Sequence, residues 1–274
     1  MKSAMPESTF QAWLLPTRIC MKYILLLCLL ISLPGPLQAT NAEREQRWID
    51  QTVDSIFDGE AVFLEAEGHR FLSIYTESET ASSKGMIVLH GTGFHPDWEQ
   101  VVQPVRVRMT ARGWNTLSIQ LPLLEKSAAY EDYVPLYPEV PPRMRAATEY
   151  LMEQGVDTIV VVAHSQGATM ASYYLARTEH EVKAFVAIGM SSQYTQAKIN
   201  STASLKLINI PVLDIYGSRD FPTVLRTTET RQEASQHNKG YKQIVIDEAY
   251  HFFDNTDHEH QLLDTMSQWL DEQL

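Results

Sequence analysis

Residues 158–167 read TIVVVAHSQG. Ile159, Val160, Val161 and Val162 are consecutive β-branched residues with no polar interruption, which suits a strand covered on both faces, as in a parallel sheet. The run ends in His164-Ser165-Gln166-Gly167, and Gln166–Thr178 then reads as a helix. Working outward, similar short apolar runs recur at Met86–Leu89, Trp114–Gln120, Val182–Ile188, Pro211–Tyr216 and Tyr241–Ile246. Helical stretches lie between them. Trp98–Arg112 follows Asp97, with Gln100 three positions after it, a capping-box pattern. Pro141–Gln154 runs from prolines to Gly155, and Phe221–His237 precedes the last run. Asp257–Leu274 closes the chain, with Thr256 and Glu259 as its capping box and Leu262, Leu263, Met266, Trp269 and Leu270 as its buried face. Before the alternation begins, Glu43–Phe57 reads as an amphipathic helix with Trp48, Ile49, Val53, Ile56 and Phe57 on its apolar face. A hairpin of Ala61–Ala66 and Arg70–Glu77 turns at Glu67-Gly68-His69. Strand–helix alternation of this kind is an α/β sheet, in which ligands bind beyond the carboxyl ends of the strands.

The 274 residues are 44% hydrophobic and 20% charged, an ordinary globular balance that leaves out fibrous and disordered classes. No repeat or low-complexity linker follows residue 40, so one domain over 40–274 is expected. The net charge of −12, with no basic run, excludes nucleic acid as the expected partner. Ile24–Leu33 (ILLLCLLISL) follows Lys22 and precedes Pro34-Gly35-Pro36 and Leu37-Gln38-Ala39. This is the pattern of a cleaved secretory leader, residues 1–39, with Met21 as the expected true start. The run is about half the ~20 residues a bilayer span needs, so no stable membrane span is expected. Both cysteines, Cys20 and Cys28, fall within the leader. The exported chain then carries neither disulfide nor thiol nucleophile.

Chemistry is expected just after each strand. Ser165 sits in a tight strand-to-helix turn flanked by small residues, with helix N–H groups aimed at it. His90-Gly91-Thr92-Gly93 follows the run at Met86–Leu89. There the N–H groups of Thr92 and Gln166 would make a two-donor oxyanion hole. Asp220 follows the run at Pro211–Tyr216 and is favoured as the acid that orients a histidine; Asp214, inside the strand, competes for the role. His251 follows the last run, as a general base. Trp98 either packs a helix cap or walls the pocket. The loop Leu123–Val140, with Tyr130, Tyr133 and Tyr137, is either a substrate-facing flap or an ordered surface loop. His90, Gly91, Gly93, Trp98 and Tyr133 are the weaker substrate-binding candidates. Asp254, Asp257, His258 and His260 crowd a helix start, where acids favour the dipole, so no metal site is assigned.

The order Ser165, Asp220, His251, with His90-Gly91-Thr92-Gly93 and Ala163-His164-Ser165-Gln166-Gly167, resembles the α/β-hydrolases from about Ala61 to the C-terminus. Ala163 stands where many of those relatives have Gly. His90-Gly91-Thr92-Gly93-Phe94-His95-Pro96-Asp97-Trp98 is also similar to an uncharacterised bacterial exported subgroup of that superfamily. The resemblance implies an α/β-hydrolase fold: a mainly parallel sheet flanked by helices, with Met190–Leu207 too short for a large cap domain. It implies Ser165 as nucleophile, Asp220 as acid, His251 as base, and Thr92 and Gln166 as oxyanion donors. The expected activity is that of a periplasmic or secreted serine hydrolase on a small-molecule ester or acyl substrate, with no cofactor. The alternatives are an amidase or peptidase on the same triad, and a non-catalytic envelope binding protein that keeps the fold.

Overall fold

Strands that are β-branched throughout need cover on both faces, and the sheet provides it. The structure is a computed structural model that describes residues 40–193 and 196–274. The expected leader, and Tyr194 of the segment after the apolar run Val182–Ile188, lie outside the described residues. Among the described residues eight strands form one sheet: β1 (Glu60–Ala66), β2 (His69–Thr76), β3 (Lys84–Leu89), β4 (Asn115–Ile119), β5 (Thr158–His164), β6 (Val182–Ile188), β7 (Val212–Gly217) and β8 (Tyr241–Ile246). Their order is β1-β2-β4-β3-β5-β6-β7-β8. β2 pairs antiparallel with β1 and β4, and every later pairing is parallel. This is the mainly parallel sheet of the α/β-hydrolase fold. The chain leaves β3 towards β4 and returns to β5 on its other side, so the loops after β3 and β5 flank the switch point where such sheets bind ligands.

The helices are α1 (Ala42–Thr52), α2 (Val102–Arg108), α3 (Val140–Glu153), α4 (Gln166–Leu175), α5 (Ser201–Leu205), α6 (Pro222–Leu225), α7 (Thr228–Ala234) and α8 (Thr256–Gln273). Side chains alternate across the sheet. Ile87, Leu117, Val161 and Phe185 meet Met144, Ala147 and Leu151 of α3 and Ala168 and Ala171 of α4. Met86, Val88, Val160, Val162 and Leu213 meet Val102 and Val105 of α2 and Leu262, Met266 and Trp269 of α8.

Several helix ends differ from expectation, because the capping side chains are spent on tertiary partners. Asp97 does not cap a helix at Trp98. Its carboxylate lies 2.5 Å from Arg106 Nη2, a guanidinium only 1% exposed, and a buried charge requires such a partner. α2 therefore begins only at Val102, after Val101 at φ 64°. The stretch Phe221–His237 divides into α6 and α7, because Arg231 reaches back to Val224 O and Thr227 Oγ1. Asn255 rather than Thr256 caps α8, accepting from Asp257 N at 2.8 Å. α1 stops at Thr52, and of its expected face Trp48, Ile49, Val53 and Ile56 are half-buried. Phe57 is 95% exposed, whereas Glu45 and Thr52 are buried.

The loop before α3 is an ordered 3-10 helix, Tyr130–Glu139, with Pro135 and Pro138 inside it. Tyr133, Leu136 and Tyr137 are buried, and Tyr130 Oη donates to Thr169 Oγ1 of α4 at 2.8 Å. It is thus tied to the body of the fold. After β6 the described chain carries only a short 3-10 turn, Ala197–Ile199, and α5, with no cap domain.

Candidate active site

Ser165 joins β5 to α4 at φ 56° and ψ −121°, a conformation that L side chains adopt only under constraint. Two contacts impose it. Ser165 N donates to Ile188 O of β6 at 2.8 Å, and α4 then departs so close to β3 that a Cβ at Gly167 would lie 2.4 Å from His90 O. His251, in the loop after β8, places Nε2 2.9 Å from Ser165 Oγ. Its Nδ1 lies 2.6 Å from Asp220 Oδ1, which also accepts from Phe221 N at 2.6 Å. The imidazole and carboxylate side chains are 3% and 0% exposed. The arrangement suits Nδ1–H donating to Asp220 while Nε2 accepts from the serine hydroxyl.

Asp214, the competing acid, points elsewhere. It accepts from Arg231 Nε at 2.8 Å, Tyr241 Oη at 2.8 Å and Gln243 Nε2 at 3.0 Å. Burial beside that carboxylate pushes the Tyr241 hydroxyl far above its ordinary range. Asp214 is a buried structural charge with its own cation.

His251 is held on several sides by groups that the chain alone did not single out. Phe221 stacks on its ring at 4.2 Å and Phe252 meets it edge-on at 5.1 Å. His164 Nε2 donates to His251 O at 3.0 Å. Gly189, at φ 60°, lets the ring approach: a Cβ there would sit 2.9 Å from His251 Cε1. Burial lowers the His164 imidazole to about 3, so it is neutral at ordinary pH and serves as a donor.

The loop after β3 abuts the serine, since a Cβ on Gly91 would be 3.3 Å from Ser165 Cβ. Gln166 N is the first orphan donor of α4. Neither Gln166 N–H nor Thr92 N–H has an acceptor among the described residues. His90 and Gly91 do not face the groove. His90 is buried, accepts from Leu121 N at 2.9 Å, and donates from Nδ1 to Gly91 O at 2.8 Å. Burial lowers its imidazole to about 3, which preserves that tautomer. His90 thus locks the loop to the end of β4. A second clasp comes from α1: Arg44 Nη2 donates to Gly93 O at 2.9 Å and Nη1 to Leu124 O. No signal in the sequence marked Arg44, because the contact joins segments that are distant in the chain.

Thr92, Gly93, Phe94, Trp98 and Tyr133 line a groove of about 240 Å³, completed by Arg44, Trp48 and Lys126 among others. Trp98 stacks flat on Phe94 at 3.8 Å, which makes it a wall of the groove. Among the described residues no cluster of three or more His, Cys, Asp or Glu is disposed to hold a metal ion. None of the described helices is long and apolar enough to cross a membrane.

Solved structures with this fold include the Pyrococcus furiosus esterase Pf2001 (20% identity, 79% of this chain and 93% of that one, TM-score 0.64). Est1E from Butyrivibrio proteoclasticus is similar at 16% identity over 79% of this chain and 99% of its own, TM-score 0.61. Dienelactone hydrolase from Anabaena variabilis matches at 19% identity over 79% and 98%, TM-score 0.66. At these identities the likeness is one of fold. No curated protein matches the sequence. Over residues 31–140 and 131–271 the sequence matches the family described as "Protein of unknown function (DUF3530)", and the chain belongs to that family.

Proposed function

We propose that the protein is a serine hydrolase that cleaves carboxylic esters, and that it works in the periplasm or outside the cell after its leader is removed. The observation that carries the reading is the unbroken line Ser165 Oγ–His251–Asp220, at 2.9 and 2.6 Å, set at a constrained strand-to-helix turn. Ser165 Oγ attacks the acyl carbonyl carbon while its proton passes to His251 Nε2. Asp220 fixes the imidazole's tautomer and stabilises the imidazolium that forms. The carbonyl oxygen, now an oxyanion, lies between the N–H groups of Thr92 and Gln166, which have no other acceptor to leave. His251 then protonates the departing alkoxide, leaving an acyl-serine. Water gives a proton to His251 and attacks the acyl carbon, and Ser165 leaves with the proton returned.

The acyl or alcohol portion of the substrate lies in the groove walled by Phe94, Trp98 and Tyr133. The preference for esters is supported by two similar folds whose names include or denote an esterase. The test is steady-state and burst-phase turnover on a panel of p-nitrophenyl esters, with the matching anilides beside them. Ester turnover with an acyl-enzyme burst that Ser165→Ala abolishes supports the reading. Turnover of the anilides alone makes the protein an amidase. Binding of panel members without any turnover makes it a binding protein.

A further inference from the structure

Thr40 is held through both its backbone and its side chain. Its backbone nitrogen donates to Glu139 Oε1 at 3.0 Å. Its hydroxyl donates to Glu45 Oε1 at 2.5 Å and accepts from Leu123 N at 2.7 Å. The next N–H, of Asn41, donates to Leu123 O at 2.7 Å. Thr40 is also the residue after Ala39, the expected cut. Hydrolysis of the Ala39–Thr40 peptide bond by a leader peptidase consumes one water, leaves a carboxylate on Ala39, and turns the Thr40 amide nitrogen into an ammonium.

Two carboxylates and two basic side chains surround that nitrogen. Glu45 comes from α1, Glu139 from the 3-10 helix, Arg143 from α3 and His69 from β2. Arg143 places Nη2 2.8 Å from Glu45 Oε1 and Nη1 2.8 Å from Gln120 O. It stands 3.7 Å from Glu139 Oε2. His69 Nε2 is 2.7 Å from the other oxygen of Glu45. Glu45 is thus enclosed by donors, whereas the closest polar neighbour of Glu139 is Thr40 N. Burial, with Glu45 contributing, holds the Glu139 carboxyl above its ordinary range even though Arg143, at 3.7 Å, and the Thr40 amide both draw it down. A cavity of about 270 Å³ opens beside the pair, lined by Thr40, Glu67, His69, Glu139, Pro142 and Arg143 among others.

We propose that this cavity is the seat of the chain's own α-ammonium, created at Thr40 when the leader is cut after Ala39 and held there by the Glu139 carboxylate. The ligand is a primary ammonium supplied by maturation. Seating it fixes the start of α1, the helix that carries Arg44 to Gly93. The proposal rests on the export reading above and is independent of whether Ser165 reacts.

An ammonium beside a carboxylate has its pKa raised above the ordinary α-amino value of about 7.7–8.0. Its contribution to stability is therefore full below that value and lost as pH rises through the raised one. The experiment is to express the full chain with its leader in a bacterial host, recover the exported protein, and determine its first residue by mass and terminal sequencing. The α-amine is then titrated by NMR in wild type and Glu139→Gln. The expected result is a chain that begins at Thr40 and holds its α-proton to a pH about one unit or more above the ordinary range, a tenfold change. Glu139→Gln returns it to that range. The wild-type Tm falls between pH 8 and 10, and the variant's falls less. A chain beginning at another residue, or a wild-type α-amine titrating in the ordinary range, overturns the proposal without need of the variant. Fluorophosphonate labelling of the same preparations reports on Ser165 separately.

Discussion

Ser165, Asp220 and His251 form one hydrogen-bonded unit, and the loss of any member leaves the others without the partner that sets their role. Ser165→Ala is expected to lower ester turnover by on the order of 10³-fold or more, and Asp220→Asn by on the order of 10⁴-fold by favouring the wrong histidine tautomer. Far-UV circular dichroism should be unchanged in both. Asp214→Asn is expected to behave differently. It leaves Arg231 buried without its countercharge, so denaturant unfolding should show a loss of about 3–5 kcal/mol, while the residual native protein keeps its kcat. The preference for Asp220 over Asp214 was legible from position alone, since a residue just past a strand can reach the switch point and one inside it cannot. Gly189 was not legible. Its requirement comes from the ring of His251, 62 residues away in the chain, and only the fold brings the two together.

At the scale of elements, α1 reaches the site through Trp48, which lines the groove, and through Arg44. The Arg44 guanidinium bridges Gly93 O and Leu124 O, holding the loop that carries Thr92. Lysine offers a point charge without the planar fork, so Arg44→Lys should not restore what Arg44→Ala loses. Both are expected to lower kcat by up to about 10²-fold through misplacement of the oxyanion donor. Because Arg44 also borders the groove, the discriminating readout is the split between the constants: KM for short acyl esters should change far less than kcat. The strands are legible within a residue or two because most are short, largely apolar runs bounded by polar turns. Helix starts were read less well. Asp97 looks like a helix cap in the sequence, yet the fold commits its carboxylate to the buried guanidinium of Arg106.

The molecule as a whole carries a pH liability. His90 and His164 are buried and neutral, with pKa values lowered to about 3. In the unfolded chain they titrate near 6.5, so the unfolded state gains protons first as pH falls. Their contribution to stability is complete above that value and lost progressively down to about pH 3. Glu45, held below the ordinary carboxylate range by His69 and Arg143 despite its burial, adds to the loss at the acid end. Tm measured from pH 7 to 4 is expected to fall steeply, and His90→Gln should flatten that slope even if it starts lower. A Tm that rises on acidification contradicts this account. The architecture was readable because alternation of buried strands and helices admits few topologies. The groove was legible in part: Gly93, Trp98 and Tyr133 stood among the candidates, but Arg44 and Trp48 of α1 join the two loops that carry them only in the fold.

The central claim is that Ser165 is an activated nucleophile. It is tested most directly by treating the purified protein with a fluorophosphonate and reading the intact mass and the modified peptide, with Ser165→Ala and His251→Ala alongside. The account predicts one adduct per chain, mapped to Ser165, and none on either variant. A folded wild-type protein that remains unmodified, or an adduct on another residue, contradicts it.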